Sequence, residues 1–195
     1  MIFSVSERIA EKFIHAKIIT AGDKDLYTYG LRQGFLIILN VLITIVIGLI
    51  FKMIWQSLIF LFAFIPLRSY SGGYHARTPF RCCLLSVVIM AEALLGIKLI
   101  PWNGFICLAA TLCAGSTILL LGPVEDRNKP LSRKETAVYK KRTQIILSIL
   151  AGAALVFWFV GNRQVPICIT TVFIVLSMML VLGKIKNMFG GKIYV

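Results

Sequence analysis

The chain is poor in acid: 8 Asp and Glu stand against 21 Lys and Arg, a net charge of +13 over 195 residues. Charged residues of both signs make up only 15%, well short of the roughly one quarter usual for a soluble domain. Histidine is nearly absent, with only His15 and His75, and no Cys-x-x-Cys pair accompanies them. That leaves no ligand set for a structural zinc site, and no metal or other cofactor is expected. Five cysteines (Cys82, Cys83, Cys107, Cys113 and Cys168) form an odd set with three members inside apolar runs, which argues against a disulfide framework. Cys107, Cys113 and Cys168 read instead as small apolar packing residues. The first segment carries Glu7, Arg8, Glu11, Lys12 and Lys17 where a cleavable signal needs an unbroken apolar stretch, so none is expected. Neither an internal repeat nor a low-complexity tract is visible.

What the chain has in excess is apolar sequence. It is 58% hydrophobic with a mean hydropathy of +0.87, against about 45–50% apolar for an ordinary soluble domain. The excess is gathered in blocks about long enough to cross a bilayer core as helix. They are continuously apolar, whereas a membrane barrel alternates at period two. The fold class expected is therefore all-α, a polytopic transmembrane helical bundle of about six spans, forming a single integral membrane domain over 1–195. The spans fall at about 31–51, 53–68, 82–100, 104–122, 144–161 and 165–183. The second is short and borders Pro66, so a re-entrant hairpin competes with a full crossing there. Ahead of them, Ile2, Val5, Ile9, Phe13 and Ala16 recur at helical spacing and predict an amphipathic interfacial helix over 1–24. His15 sits on it and reads as solvated.

Sidedness follows from the basic residues, which collect in cytoplasmic loops. Eighteen of the twenty-one lie in the amino-terminal segment, the loops between spans two and three and between four and five, and the tail. Only Lys52, Lys98 and Arg163 fall on the other side. Both termini and both polar loops are thus expected on the cytoplasmic side of a cell membrane. Ala110, Ala114, Gly115, Ala151, Gly152, Ala153 and Ala154 let helices four and five approach other helices closely, either within one bundle or at a dimer face.

One segment suits chemistry. Residues 68–83, RSYSGGYHARTPFRCC, place Cys82 seven positions after His75. A cysteine nucleophile needs an imidazole within hydrogen-bond reach, whereas seven residues of unbroken helix would separate the two by about 10 Å along the axis. The chain must fold back. Thr78 is a good N-cap and Pro79 suits the first helical position, so the third span should begin at Pro79 with His75 on the loop before it. Gly72 and Gly73 let that loop curl. Cys82 then sits near a helix N-terminus beside Arg77 and Arg81, surroundings that favour thiolate. The bland alternative is an unrelated His and Cys at a membrane boundary. Glu92 is the one acid within an expected span, either functional or buried against a structural partner.

Arg68, Gly73, His75 and Cys82, followed by the run PVEDRNKPL at 123–131, resemble the accessory gene regulator B (AgrB) family. These are bacterial membrane cysteine endopeptidases that mature quorum-sensing peptides. The resemblance covers nearly the whole chain in length, span pattern, His-x6-Cys segment and Asn-Lys-Pro loop. It implies that Cys82 is the nucleophile, His75 its general base, and Arg68 and Gly73 supporting residues. Cys83 is the neighbouring competitor, turned by about 100° on a helix. The substrate implied is a small precursor peptide, amphipathic at its N-terminus and acidic at its C-terminus, cleaved so that a thiolactone or lactone ring can form. Arg127, Lys129, Arg133, Lys134, Lys140, Lys141 and Arg142 could hold the acidic tail, and they also suit anionic membrane lipids. A homodimer is expected and nucleic acid is not. The competing functions are a peptide exporter, a membrane acyltransferase using the same nucleophile, and a structural membrane protein.

Overall fold

The computed structural model describes residues 2–16, 18–73, 79–124 and 133–190, apart from the side chains of residues 2–5, 21, 32, 33, 36, 79–82, 133, 189 and 190. These residues are all-α, as expected. The order is α1 (Ile2–His15), a 3-10 turn (Ala21–Asp23), α2 (Lys24–Ile50), α3 (Ile54–Ser71), α4 (Pro79–Leu99), α5 (Gly104–Leu121), α6 (Arg133–Phe159) and α7 (Gln164–Gly190). The only β pairing among them is one parallel bridge between Gly72 and Val124. The chain divides into two compact units, Met1–Ile43 and Thr44–Val195.

In the first unit, α1 stops at His15 instead of running to residue 24. The Thr20 hydroxyl donates to the Asp23 carboxylate, forming a local turn that competes with helix. Ser6 and Ala10, one turn apart, are fully buried, whereas Ala16 is exposed, so the buried line is rotated from the one the spacing suggests. His15 is exposed. Lys24 Nζ donates to Glu11 Oε1 at 2.9 Å and joins α1 to the start of α2. That hydrogen bond, then the lysine charge, holds the Glu11 carboxyl below its ordinary range, and the same contact raises Lys24.

In the second unit α7 is central, packing against α3, α4, α5 and α6. Its apolar stretch is 56% buried, against 22% for α5 and 17% for α6. The cause is its sequence: ICITTVFIVLSMMLVL is apolar all round, and such a helix belongs in a core. Cys168, Val172, Phe173, Leu176 and Leu180 are inaccessible. Its hydroxyls are satisfied locally or across helices. Thr171 donates to the Ile167 carbonyl, and Thr170 pairs with Cys107 at 3.1 Å and Thr111 at 2.7 Å on α5. Pro166 falls in the first turn, where a missing N–H costs nothing, and Asn162 accepts from the backbone N–H of Gln164. Cys107 and Cys168 are buried as expected, but Cys113 is exposed, on the outward face of α5.

The helices alternate in direction. Gln56 Nε2 donates to Gln164 Oε1 at 3.1 Å where α3 and α7 begin, and Arg68 near the end of α3 reaches Met179 further along α7. These two run parallel. Tyr70 at the end of α3 meets Tyr139 and Arg142 near the start of α6, so α6 runs the other way. A side chain at Gly104 would touch Trp158 and one at Gly122 would touch Ser71, which aligns α5 with α3. One end of the bundle is closed by short turns at 51–53, 100–103 and 160–163, and the other carries the longer connections 72–78 and 122–132. Among described cations, Arg68, Lys134, Lys140, Lys141, Arg142, Lys184 and Lys186 lie at the second end, and Lys52, Lys98 and Arg163 at the first.

Several boundaries differ from the hydropathy reading. α2 begins at Lys24, not 31; α6 begins at Arg133, not 144; α7 runs to Gly190, beyond 183. Hydropathy marks where sequence suits hydrocarbon, whereas the helical hydrogen-bond ladder continues through polar residues until a cap or breaker stops it. α3 is one helix through Pro66, so its 18 residues form no hairpin; a membrane helix tolerates the lost donor when neighbours support it. Among the described residues three helical stretches are long and apolar enough to cross a membrane, Gly104–Leu121, Lys134–Phe159 and Gln164–Met188, with a shorter apolar stretch at Ile37–Ile50. They mark a membrane protein; the total of about six rests on hydropathy. Phe105, Leu120 and Phe159 are each more than 80% exposed, as lipid-facing residues would be. Ala114, Gly115 and Ala154 are buried, and a side chain at Gly115 would touch Leu147 and Phe173, so these small residues serve close packing within the bundle.

Candidate functional site

The candidate segment lies at the long-connection end. α4 runs Pro79–Leu99, which puts the Cys82 backbone within its first turn; Thr78, the expected N-cap, lies outside the described residues. His75, Arg77 and the Cys82 side chain lie outside the described residues, as do Arg127, Lys129 and the side chains of Arg81 and Arg133. Cys83 is half-buried. What the structure describes is the frame on which this segment is hung.

Arg68 is on the last turn of α3. Its guanidinium donates to the Met179 thioether on α7 and lies 5.6 Å from the centre of the Phe64 ring. Arginine suits this place because a planar, weakly hydrated cation can rest on an aromatic face and a soft sulfur. Phe64 in turn stacks on the inaccessible Phe60 at 5.3 Å. The arginine is thus braced by the core.

Gly72 and Gly73 do more than loosen the loop. Gly72 has φ 72° and ψ −138°, and a side chain there would collide with the Val124 carbonyl. Val124 N–H donates to the Ser71 carbonyl at 3.0 Å. The start of the His75 loop is therefore laid beside the start of the Pro-Val-Glu-Asp-Arg-Asn-Lys-Pro loop. Gly73 has φ 117° and is buried against the Met179 backbone carbonyl. Both conformations favour glycine. Met179 thus touches both supporting residues that the resemblance names, and nothing in its sequence setting announced it.

On the basic run, Lys134, Lys140, Lys141 and Arg142 are exposed. They are helical residues of α6, not loop residues. Arg142 is engaged: its Nη1 donates to the Tyr70 hydroxyl at 2.9 Å. Glu92 is exposed on α4, not buried against a partner. No group of three or more potential metal ligands occurs among the described residues. An open apolar groove of about 670 Å³ lies within the first unit, lined by Phe13, Leu26, Tyr27, Leu31, Phe35 and Ile38 with Gly30 and Gly34. It holds none of the candidate residues.

Comparison with known proteins agrees with the family resemblance. The accessory gene regulator B family matches residues 6–182. AgrB-like protein 2 of Clostridium perfringens is 27% identical over 160 residues, covering 76% of this chain and 73% of its own. AgrB-like proteins of Listeria welshimeri and Listeria innocua are 27% and 28% identical over 177 residues, covering 89% of this chain and 86% of theirs. The names of these relatives claim only likeness to AgrB. No solved structure matches. With the family matched from the first helix almost to the end of the last, this chain belongs to the accessory gene regulator B family.

Proposed function

We propose that the chain is a membrane cysteine endopeptidase that cleaves a small autoinducing-peptide precursor for quorum sensing, with Cys82 as nucleophile and His75 as general base. The observation that supports the reading is the helix α4, Pro79–Leu99, which has the Cys82 backbone in its first turn, where the helix dipole favours thiolate; His75 comes to the site from the sequence and the resemblance. Arg68 and Gly73, at the end of α3, lie against Met179 of α7, which suits the supporting roles that the resemblance gives them.

The Cys82 thiolate adds to the scissile carbonyl and the C–N bond breaks. His75 gives its proton to the departing amine, leaving an acyl-enzyme thioester. A Cys thiol or Ser hydroxyl of the bound peptide then attacks that thioester and yields its proton to His75. The ring closes as Cys82 leaves as thiolate. A thiolactone product exchanges one thioester for another, so the second step is nearly balanced, and a boundary site poor in water favours ring closure over hydrolysis. The active site and both termini face the cytoplasm. There, the exposed basic residues Lys134, Lys140 and Lys141, with Arg127, Lys129 and Arg133, hold the acidic tail and meet anionic lipid. The working form is a homodimer.

The test is co-expression with a candidate precursor at matched membrane levels. Cleavage is expected to disappear in Cys82→Ala and His75→Ala and to survive in Cys83→Ala. Persistence in Cys82→Ala would remove the nucleophile from the reading and leave a transporter or scaffold.

A further inference from the structure

Within the run Lys140-Lys141-Arg142, one residue is not like the others. Arg142 Nη1 donates to the Tyr70 hydroxyl at 2.9 Å, and its guanidinium carbon lies 5.1 Å from the centre of the same ring. Tyr139, one turn back on α6, meets that ring edge-on, with centroids 5.8 Å apart at 71°. Residues three apart share a helix face, so Tyr139 and Arg142 close on Tyr70 from one side of α6. Lys140 and Lys141 are turned from Arg142 by about 200° and 100°, and both are exposed. Thr143, the next residue, is 2% exposed, so the helix dips into the bundle directly after the clamp.

The position of Tyr70 gives the clamp its meaning. It follows Arg68 by two residues and precedes Gly72 by two and His75 by five. We propose that Arg142 is a positioning residue, which fastens the end of α3 to α6 through Tyr70 and so sets the segment leading to His75, leaving Lys140 and Lys141 to hold the acidic substrate tail. This rests on the protease reading above. A lysine cannot take over the role. Its ammonium is a hydrated point charge without the planar fork that lies along a ring while bonding to its hydroxyl.

Positioning and tail binding leave different kinetic signatures. Purified wild type and variants, reconstituted in vesicles, are assayed with a precursor peptide and with the same peptide carrying Asn and Gln in place of its tail acids. For Arg142→Lys, kcat is expected to fall about tenfold, the effect of losing one charge-assisted hydrogen bond, with both peptides alike and KM nearly unchanged. Tyr70→Phe keeps the ring and removes only the hydroxyl. It should lower kcat in the same way, and Tyr70→Phe with Arg142→Lys should be little worse than either alone. Lys140→Gln with Lys141→Gln should raise KM for the acidic peptide only. If Arg142→Lys instead raises KM for the acidic peptide and leaves the neutral one untouched, Arg142 is a tail-binding residue and the proposal is overturned. If kcat is unmoved in both Arg142→Lys and Tyr70→Phe, it is overturned as well, and the Tyr70→Phe arm decides the matter should Arg142→Lys fail to insert. A wild type that cleaves neither peptide defeats the protease reading itself, a result distinct from a cleaving wild type with an indifferent clamp.

Discussion

The two ends of the second unit are built on different plans. The short-turn end is closed by caps and neighbours: Asn103 accepts from the Ile106 N–H at 2.8 Å, Trp102 Nε1 donates to the Gly96 carbonyl, and Arg163 lies over Trp158 at 5.6 Å. All three tryptophans, Trp55, Trp102 and Trp158, are there, as amphipathic rings are at a membrane–water boundary. The long-connection end has glycines at positive φ under contact, a bridge between two connections, and most of the charge. One end seals the bundle and the other holds loops in place. Chemistry concentrates on loops held by rigid scaffolds, so the comparison alone points to the second end.

The sharpest way to break that comparison uses one glycine from each end. Gly72 and Gly161 both have positive φ, at 72° and 90°, but a side chain at Gly72 meets the Val124 carbonyl whereas at Gly161 nothing lies within 4 Å. Gly72→Ala adds a steric collision to a backbone strain of about 1–3 kcal/mol, and precursor cleavage should be lost at normal membrane levels. Gly161→Ala carries the strain alone and should cleave normally. Equal activity in the two variants would dissolve the distinction between the ends. Next in size, Lys140→Glu with Lys141→Glu should slow processing about tenfold, a loss of the order seen when close charge pairs are broken. Lys52→Glu and Lys98→Glu, at the other end, should not. Unchanged cleavage in the first pair would count against tail binding there.

A smaller effect is expected in the middle of the bundle. Thr170→Val removes the Cys107 and Thr111 partners together, and interhelical hydrogen bonds in membrane proteins average about 0.6 kcal/mol. A shift of that order in a denaturant unfolding midpoint, with activity intact, is the expected result; a loss of activity would give the cluster a function. The smallest effect belongs to the first unit. The contact with Lys24 depresses Glu11, so its contribution is present above the ordinary carboxylate range and fades as pH falls through the lowered value. Both side chains are exposed enough for salt to screen them. In Lys24→Gln the Glu11 titration midpoint, followed by NMR in micelles, should move up; an unmoved midpoint would mean the pair does not form in solution.

Much of the frame was legible before any coordinates. Apolar block length gave the all-α architecture, and Pro79, read as a first helical position, is the first residue of α4. Both are local signals, written in consecutive residues. What escaped was written across distance. Met179 is 111 residues from Arg68, and Arg142 is 72 from Tyr70; no periodicity links such pairs. Arg142 shows the difficulty. Composition places it among seven similar cations, and only packing shows that Arg142 bonds to Tyr70 at the end of α3. The start of α6 escaped for another reason: Arg133–Arg142 is polar but helical, and hydropathy reports solvent preference, not backbone state.

Met179 also orders events in time. Arg68 and Gly73 leave the ribosome with the third helix, but the residue that braces both belongs to the seventh. At about 5–20 residues per second, synthesis of the intervening 111 residues takes roughly 5–20 s. Through that interval the segment around His75 and Cys82 is made but its support is not. The frame at the end of α3 is therefore complete only once α7 has been made and docked against it.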